Sequence, residues 1–242
     1  MNPELTLPLI SCICITKNRT AQLLKSIISF QQQTYPNKEL VISYPEEDLP
    51  TQQLINTILE LNPISILKIK RQEEESVGKA RNAAITKSQG EYICMWDDDD
   101  LYYPSRLADQ YIAMQQDNKN YEASILTRIL FYEATAQKAF LSFQSLWECT
   151  LLCKKTHLLA NPCADATGFE CQPVITYLSP ANLIYHLELS PALYTYIYHG
   201  KNSMPYTTFL YLINRSEFLP DEVAKNIKAH LDLQTPVLTD PK

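Results

Sequence analysis

Short apolar segments alternate with helical patterns through the first hundred residues, and this alternation constrains the fold more than any other feature of the chain. Strand–helix–strand units at this spacing predict a parallel sheet with right-handed crossover connections. The strand segments are apolar without alternation, which is typical of strands that helices cover on both faces. The predicted strands are residues 9–15, 39–42, 64–69 and 92–96, and the predicted helices are residues 21–33, 51–61 and 79–87.

The pattern changes after residue 100. A predicted helix at residues 105–116 is followed by strand-like segments that indicate a small mixed-sheet extension. These segments are residues 123–132, 139–143, 146–153, 184–189 and 193–197, with a loop at 161–173 and a terminal helix at 221–233. The sequence contains no internal repeat, low-complexity stretch or clear linker. We therefore expect one α/β domain over residues 1–242.

The overall composition argues against several classes of protein. A net charge of −6 argues against a nucleic-acid-binding protein that relies on phosphate neutralisation. No apolar run reaches the roughly 18 residues of a transmembrane helix, although peripheral contact with a membrane is compatible with the sequence. The amino-terminal residues lack the basic region of a secretory signal, so we expect a cytoplasmic protein. The seven cysteines include no CxxC pair, so we expect neither a disulfide framework nor a zinc site.

Glycine is scarce in this chain. The four glycines are Gly78, Gly90, Gly168 and Gly200. Because glycine has no Cβ, each of them is expected to mark a backbone position that needs a positive φ or a close approach to another group.

Four consecutive aspartates, Asp97, Asp98, Asp99 and Asp100, directly follow the fourth predicted strand. Adjacent carboxylates repel one another, so this cluster is costly unless solvent or a cation neutralises it. Open α/β sheets bind ligands beyond the carboxyl ends of their strands, and Mg²⁺ prefers oxygen ligands that it shares with substrate phosphates. The residues alone leave two interpretations open. One is a metal site that holds a phosphorylated ligand, and the other is a solvated acidic loop that caps the helix beginning near Ser105.

Four segments in order resemble the family 2 glycosyltransferases of the GT-A fold. They are residues 8–19 (PLISCICITKNR), 33–40 (QTYPNKEL), 78–84 (GKARNAA) and 90–107, which contain the aspartates; further similarity continues to near residue 202. The resemblance implies a Rossmann-like, mostly parallel central sheet flanked by helices. It divides the chain into a nucleotide-binding half at residues 1–104 and an acceptor-side half at residues 105–242. It also implies inverting transfer of a sugar from a nucleotide-diphosphate sugar, expected to be a UDP-sugar, to an acceptor hydroxyl.

The same resemblance implies a metal site for Mn²⁺ or Mg²⁺ at the aspartates. Asp97, Asp98 and Asp99 span the DxD-type motif, in which Asp99 is the best metal ligand and Asp98 or Asp97 faces the ribose or the sugar. Asp100 is expected to cap the following turn. His199, after a late strand, either completes the metal shell, touches the diphosphate, or is an isolated surface histidine.

Further donor contacts are implied at a turn and at a helix start. Thr16, Asn18 and Arg19 occupy the turn where the family contacts the base, although Asn18 also suits a helix cap. Lys79 and Arg81 begin a helix and suit an anionic diphosphate. The alternative for these two residues is an ordinary solvent-facing basic pair.

The sequence departs from the family pattern after the second strand. The family usually carries a pair of aspartates there, one of which contacts the base. In this chain Tyr44 is expected to stack on the base, and Glu46 or Asp48 to make the polar contact.

A second departure falls on the expected catalytic base. The family has a Glu-Asp pair whose Asp accepts the proton of the attacking hydroxyl, and the matching residues here are Glu170 and Cys171. Glu170 and the nearby Asp165 are therefore candidate bases. The Cys171 thiol, with a reference pKa of about 8.5, is a poorer candidate.

Two functions are compatible with this pattern. The leading hypothesis is a metal-dependent glycosyltransferase, which the intact aspartates and Arg81 favour. The alternative is a non-catalytic nucleotide-sugar-binding module of the same fold, which Cys171 favours. Three classes of acceptor stay open: a glycan, a lipid-linked sugar and a protein. The sequence does not distinguish them, because acceptor pockets lie in the variable C-terminal third. Binding of a donor without transfer would identify the module.

Overall fold

A computed structural model describes residues 7–116 and 119–233 of the chain. The strands in this part are β1 (Ile10–Ile15), β2 (Lys38–Pro45), β3 (Ile66–Arg71), β4 (Tyr92–Met95), β5 (Leu101–Tyr102), β6 (Ala123–Leu126), β7 (Leu130–Glu133), β8 (Lys138–Leu141), β9 (Leu152–Lys154), β10 (Ile184–Leu187), β11 (Tyr194–Tyr198) and β12 (Glu217–Phe218). The helices are α1 (Thr20–Gln31), α2 (Leu49–Leu61), α3 (Val77–Lys87), α4 (Arg106–Met114), α5 (Lys155–Ala160), α6 (Gln172–Leu178), α7 (Tyr206–Ile213) and α8 (Asp221–Leu233), with 3-10 turns at Glu148–Thr150 and Pro191–Leu193.

The described strands form a central sheet with the order β10-β6-β9-β4-β1-β2-β3. β4, β1, β2 and β3 run parallel to one another, as the sequence predicts for its first hundred residues. β9 runs antiparallel between β4 and β6, so the sheet is mixed toward its β10 edge. The α/β fold with a mostly parallel central sheet is therefore confirmed. The division of the chain into two halves remains a prediction.

A second sheet has the order β12-β8-β7-β11-β5. Its strand β5 begins directly after the four aspartates, and β11 pairs antiparallel with it, with Thr195 opposite Leu101. This pairing places the segment that follows β11 beside the aspartates.

Several strand ends meet at one edge of the central sheet. β1 and β4 are in register with Ile13 beside Met95, so the residues that follow both strands emerge together. Because β9 is antiparallel to β4, with Leu152 beside Cys94, the residues that precede β9 reach the same edge. This edge is the position where open α/β sheets bind ligands.

The structure corrects the sequence prediction in the second half of the chain. Residues 123–132, predicted as one strand, form β6 and β7, which lie in different sheets. Residues 146–153, also predicted as one strand, contain the 3-10 turn Glu148–Thr150 before β9. Helix α7 was not predicted, because its aromatic and β-branched residues favour strands by propensity. Among residues 7–116 and 119–233, no helix has the length and apolar character needed to cross a membrane.

Candidate active site

A cleft of about 440 Å³ opens at the sheet edge where β1 and β4 end. Its lining includes Thr16 after β1, the four aspartates after β4 and Arg81 from α3. Glu148, from the turn before β9, and Glu170, from the segment before α6, also line the cleft. The volume falls within the range of about 300–1,000 Å³ that is typical of small-ligand sites.

Asp98 is anchored to the turn that follows β1. Thr16 Oγ1 donates to Asp98 Oδ2 at 2.6 Å, and Arg19 Nη1 lies 3.3 Å from Asp98 Oδ1. Burial raises the pKa of Asp98 to about 7, and the charge of Asp99 adds to this increase. Because both oxygens of Asp98 already bind the protein, this side chain orients the β1 turn.

Asp99 joins the Arg19 guanidinium to a histidine from the second sheet. Arg19 Nη1 lies 2.9 Å and His199 Nε2 lies 3.0 Å from Asp99 Oδ2. The backbone N–H of Lys201 donates to His199 Nδ1 at 3.2 Å, so a neutral His199 carries its proton on Nε2 and donates it to Asp99. The interpretation of His199 as an isolated surface residue is therefore wrong. In this arrangement Nε2 is a hydrogen-bond donor and has no lone pair for a metal.

Arg81 lies between two carboxylates of the cleft. Its Nη2 donates to Asp97 Oδ1 at 2.6 Å, and its Nη1 lies 3.6 Å from Glu170 Oε1. The residue is 6% exposed. Although burial disfavours its charge, the negative charge of Asp97 raises the pKa of Arg81 well above its ordinary value. The Arg81 guanidinium thus already pairs with two protein carboxylates, and a bound anionic ligand would share its positive charge with them.

Asp100 fixes the second sheet against the aspartate segment. It accepts hydrogen bonds from the Tyr194 hydroxyl and from the Ile197 backbone N–H, the latter at 2.9 Å. It does not cap the following helix, since Ser105 is the N-cap residue of α4 and no side chain caps that position. The prediction of a cap at Asp100 is wrong, and so is the interpretation of the cluster as a solvated loop, because Asp98 and Asp100 are buried.

The donor atoms of the cleft fit a hard divalent cation. Among the described residues, no three His, Cys, Asp or Glu side chains form a ready metal cage. Mg²⁺, however, is usually held by one or two carboxylates together with substrate phosphates. Asp97 Oδ2 and Asp99 Oδ1 accept no hydrogen bond from any described residue, so each carboxylate keeps one oxygen for a cation. The carboxylates here also outnumber Arg19 and Arg81, the guanidiniums that contact them.

The structure separates the three candidate bases. Glu170 lines the cleft. Cys171 is fully buried behind it, with its Sγ 3.1 Å from Cys163 Sγ and 3.9 Å from Met95 Sδ, and hydrogen bonding to Cys163 together with burial raises the pKa of the Cys171 thiol well above its ordinary value. Asp165 is exposed on the outer surface, paired with Lys79 at 2.8 Å. Of the three candidates, only Glu170 therefore lines the cleft, and the identity of the base remains a prediction.

Other predicted donor contacts also lie away from the cleft. Lys79 is the solvent-facing partner of Asp165, so of the predicted basic pair only Arg81 reaches the site. Tyr44 is 1% exposed within the apolar core and has no face free to stack on a base. Glu46 forms an exposed ion pair with Lys70 at 3.3 Å.

Asn18, in the turn after β1, neither lines the cleft nor caps α1. Asn18 has a positive φ of 54°, and its backbone N–H donates to Asp48 Oδ2 at 2.7 Å. The N-cap residue of α1 is Arg19, so Asn18 does not cap the helix. Asp48 is 2% exposed and also caps α2 through the Thr51 N–H, so it makes no contact in the cleft.

Sequence reasoning missed several lining residues, among them Arg71 and Glu148. Arg71, at the end of β3, donates from Nη2 to the Thr16 carbonyl at 3.2 Å. Glu148 was hidden because residues 146–153 were predicted as a continuous strand. The position of Arg71 at a strand end is the signal that could have identified it.

Comparison with known proteins identifies relatives of this chain. The family model described as glycosyl transferase family 2 matches residues 11–172. The chain is 37% identical over 103 residues to the putative colanic acid biosynthesis glycosyl transferase WcaA of Escherichia coli, a match that covers 42% of this chain and 36% of WcaA. It is 29% identical over 113 residues to an uncharacterised glycosyltransferase of Methanocaldococcus jannaschii, covering 46% and 39% of the two chains. The matches thus span less than half of the length of these curated relatives.

Solved structures share the fold. The mannosyltransferase PcManGT from Pyrobaculum calidifontis, in complex with GDP-Man and Mn²⁺, aligns with a TM-score of 0.62 and 15% identity over 95% of this chain and 71% of its own. TarS 1–349 from S. aureus, in complex with UDP-GlcNAc, aligns with a TM-score of 0.60 and 14% identity over 96% of this chain and 68% of its own. At these identities the alignments show the GT-A fold and not a shared substrate.

Proposed function

We propose that this chain, which belongs to glycosyl transferase family 2, transfers a sugar from a nucleotide-diphosphate sugar to an acceptor hydroxyl with inversion at the anomeric carbon. The observation that carries this proposal is the convergence of Asp97, Asp99 and Arg81 in one cleft at the carboxyl ends of β1 and β4. Two side chains with an unused carboxylate oxygen, beside the buried Arg81 guanidinium and the half-buried Arg19 guanidinium, suit a diphosphate that arrives with a cation.

The nucleoside is proposed to lie between the ends of β1 and β3. Thr16 and Arg71 line the cleft there and are joined by a hydrogen bond, and Lys17 and Glu73 lie beside them. Arg19 stands between this region and the aspartates, so its guanidinium is placed to meet the diphosphate. This arrangement replaces the predicted contacts at Tyr44 and Glu46.

The metal is proposed to be Mn²⁺ or Mg²⁺, held by Asp97 and Asp99. When bound, such an ion supplies charge neutralisation for the leaving diphosphate. The residues of this chain do the rest: Arg19 and Asp98 hold the β1 turn in place, and His199 orients Asp99 by donating to its Oδ2. His199 therefore acts on the metal ligand and does not itself coordinate.

A UDP-sugar is the proposed donor. TarS has been solved with UDP-GlcNAc and PcManGT with GDP-Man and Mn²⁺, so proteins of this fold bind donors with either base. The acceptor is a hydroxyl of a glycan, a lipid-linked sugar or a protein, approaching from the side of Glu148 and Glu170.

Calorimetric titration of UDP, GDP and CDP, with and without Mn²⁺, tests the donor site. We expect one nucleotide to bind in a Mn²⁺-dependent manner, and sugars on that nucleotide then serve as donors in transfer assays. Absence of binding by all three nucleotides would contradict the proposal.

The second candidate function is a nucleotide-sugar-binding module without catalysis. The observation that favours it is Cys171, which stands where the family has its catalytic Asp, is fully buried and does not line the cleft. This function predicts Mn²⁺-dependent donor binding with no release of nucleotide diphosphate. The same preparation therefore distinguishes the two functions.

A further inference from the structure

The cleft of this chain holds a carboxylate that is distinct from the aspartates and from Glu170. Glu148 begins the 3-10 turn that precedes β9. The Met95 N–H at the end of β4 donates to the Leu151 carbonyl at 3.0 Å, so this turn lies directly beyond the strand that carries the aspartates. Glu148 is thus on the acceptor side of the cleft, across the aspartates from the β3 end where the nucleoside is proposed.

Hydrogen bonds to buried residues hold the turn that carries Glu148 against the core. Thr150 is fully buried, donates its hydroxyl to the Trp147 carbonyl at 2.7 Å and accepts the Leu126 N–H at 2.9 Å. Gln110 Nε2 donates to the Thr150 carbonyl at 2.8 Å. A group that transfers a proton must be held in position, and these bonds supply that support.

The hydrogen bonds of Glu148 leave one oxygen available to a substrate. Gln172 Nε2 donates to Glu148 Oε2 at 3.0 Å, and Oε1 accepts no hydrogen bond from any described residue. No described cation forms an ion pair with Glu148, whereas Glu170 lies 3.6 Å from the Arg81 guanidinium. A carboxylate without a paired cation accepts a proton more readily than one that is paired.

We propose that Glu148 is the general base that accepts the proton of the attacking acceptor hydroxyl, an inference that rests on the transferase function proposed above. Glu148 Oε1 takes the proton as the hydroxyl oxygen forms a bond to the anomeric carbon. The bond between that carbon and the diphosphate oxygen breaks, and its electron pair leaves with the diphosphate. Glu148 then returns the proton to solvent.

The electrostatics of the site agree with this role. Burial raises the pKa of Glu148 to about 7, the Gln172 hydrogen bond opposes the increase and the charge of Glu170 adds to it. Arg81 and Asp97 also face the group, with smaller and opposite effects. A base is most effective when its pKa lies near the working pH. The loss of the family Asp at Cys171 is therefore compensated by a carboxylate from a different element.

The test compares Glu148→Gln with wild type. Gln preserves the shape and can still accept the Gln172 hydrogen bond, so donor binding should persist. Nucleotide binding is measured by titration of UDP and GDP with Mn²⁺. Turnover is measured as nucleotide diphosphate released from UDP-GlcNAc and GDP-Man, with water and simple sugars as acceptors. We expect turnover to fall about 100-fold or more, with nucleotide affinity within about twofold of wild type.

The matched control is Glu188→Gln. Glu188 is exposed and also accepts a hydrogen bond from a glutamine amide, that of Gln144 at 3.2 Å, so its replacement should leave turnover unchanged. The pH dependence of wild-type turnover should show an acidic limb near pH 7, which Glu148→Gln should lack. If Glu148 had only a structural role, the pH profile of Glu148→Gln would keep the acidic limb.

Three outcomes would overturn the inference. Turnover of Glu148→Gln within about threefold of wild type, with intact binding, would remove Glu148 as the base and leave the transferase function standing. If wild type binds the nucleotide but releases no nucleotide diphosphate, no hydroxyl is deprotonated in the cleft and Glu148 has no role as a base. Absence of nucleotide binding by wild type would refute the proposed function and the inference together.

Discussion

The Arg81 guanidinium lies 2.6 Å from Asp97 Oδ1, and its other terminal nitrogen lies 3.6 Å from Glu170 Oε1. One buried cation from α3 thus joins the segment after β4 to the segment before α6. Removing one member of such a pair leaves buried charge uncompensated, which costs more than the pair itself contributes.

We expect Arg81→Met to lower the free energy of unfolding by about 3–5 kcal/mol, because Asp97 and Glu170 lose their counter-charge. Urea denaturation at neutral pH measures the change. Lys79→Met is the matched control, since Lys79 lies on the same helix but its ion pair with Asp165 is exposed on both sides. That variant should unfold at nearly the wild-type urea concentration. Equal losses in the two variants would show that Arg81 is not a buried bridge.

Gly78 sets how closely α3 approaches the loop that carries Glu170. A Cβ at this position would lie 1.8 Å from the Ala164 carbonyl oxygen, and the Gly78 N–H donates to the Ala166 carbonyl at 3.0 Å. An alanine in a helix is ordinarily favoured over glycine by about 1 kcal/mol. Here we expect Gly78→Ala to destabilise the protein by about 1–3 kcal/mol through overpacking.

Thermal unfolding of Gly78→Ala beside Thr86→Ala checks this sign. Thr86 is exposed on the same helix, so its replacement by alanine should leave the melting temperature unchanged or raise it. A Gly78→Ala protein that melts at or above the wild-type temperature would contradict the close approach.

Much of the fold could be predicted because local and global signals agree in the first hundred residues. The scarcity of glycine was informative as well: Gly78 and Gly90 lie against neighbouring atoms, and Gly168 and Gly200 have positive φ, as expected. The second half was harder because its strands are short and change sheets. The break between β6 and β7 has no glycine or proline to mark it.

The sequence predicted the positions of site residues only where those residues directly follow a strand, because the end of the strand fixes where they lie. Thr16 and the aspartates follow buried strands, so their place at the sheet edge could be deduced. Tyr44 belongs to β2, which is buried along nearly its whole length, and sequence alone did not reveal that its ring points into the core. Glu148 depends on a 3-10 turn that tertiary hydrogen bonds hold in place, and apolar periodicity does not report such a turn.

We expect Asp99→Asn to weaken Mn²⁺-dependent nucleotide binding by at least about tenfold, because the amide replaces a charged oxygen ligand. Binding measured without Mn²⁺ should change far less. Asp221→Asn is the matched control, since that carboxylate is exposed on α8 and pairs with Lys138. Equal Mn²⁺-dependent affinity in Asp99→Asn and wild type would refute the assignment of Asp99 as a metal ligand.

The pH dependence of stability gives a test of Glu148 that needs no substrate. Burial raises its pKa to about 7 in the folded chain, above the ordinary value of about 4.3 for glutamate. The folded state therefore binds this proton more tightly than the unfolded state. The stability that the proton contributes is fully present below about pH 4 and is lost as the pH rises to about 7. Glu148→Gln lacks this titration and does not lose that stability. The free energy of unfolding of Glu148→Gln minus that of wild type should therefore increase from pH 5 to pH 8, a range that includes the folded-state pKa of about 7.

Urea denaturation of both proteins across this range measures the difference. The exposed Glu188→Gln variant should follow the wild-type curve, because replacing its side chain removes no buried charge. A Glu148→Gln curve that stays parallel to wild type would mean that Glu148 keeps its proton affinity on unfolding. The residue would then lack the desolvation on which its ability to hold a substrate proton near neutral pH depends.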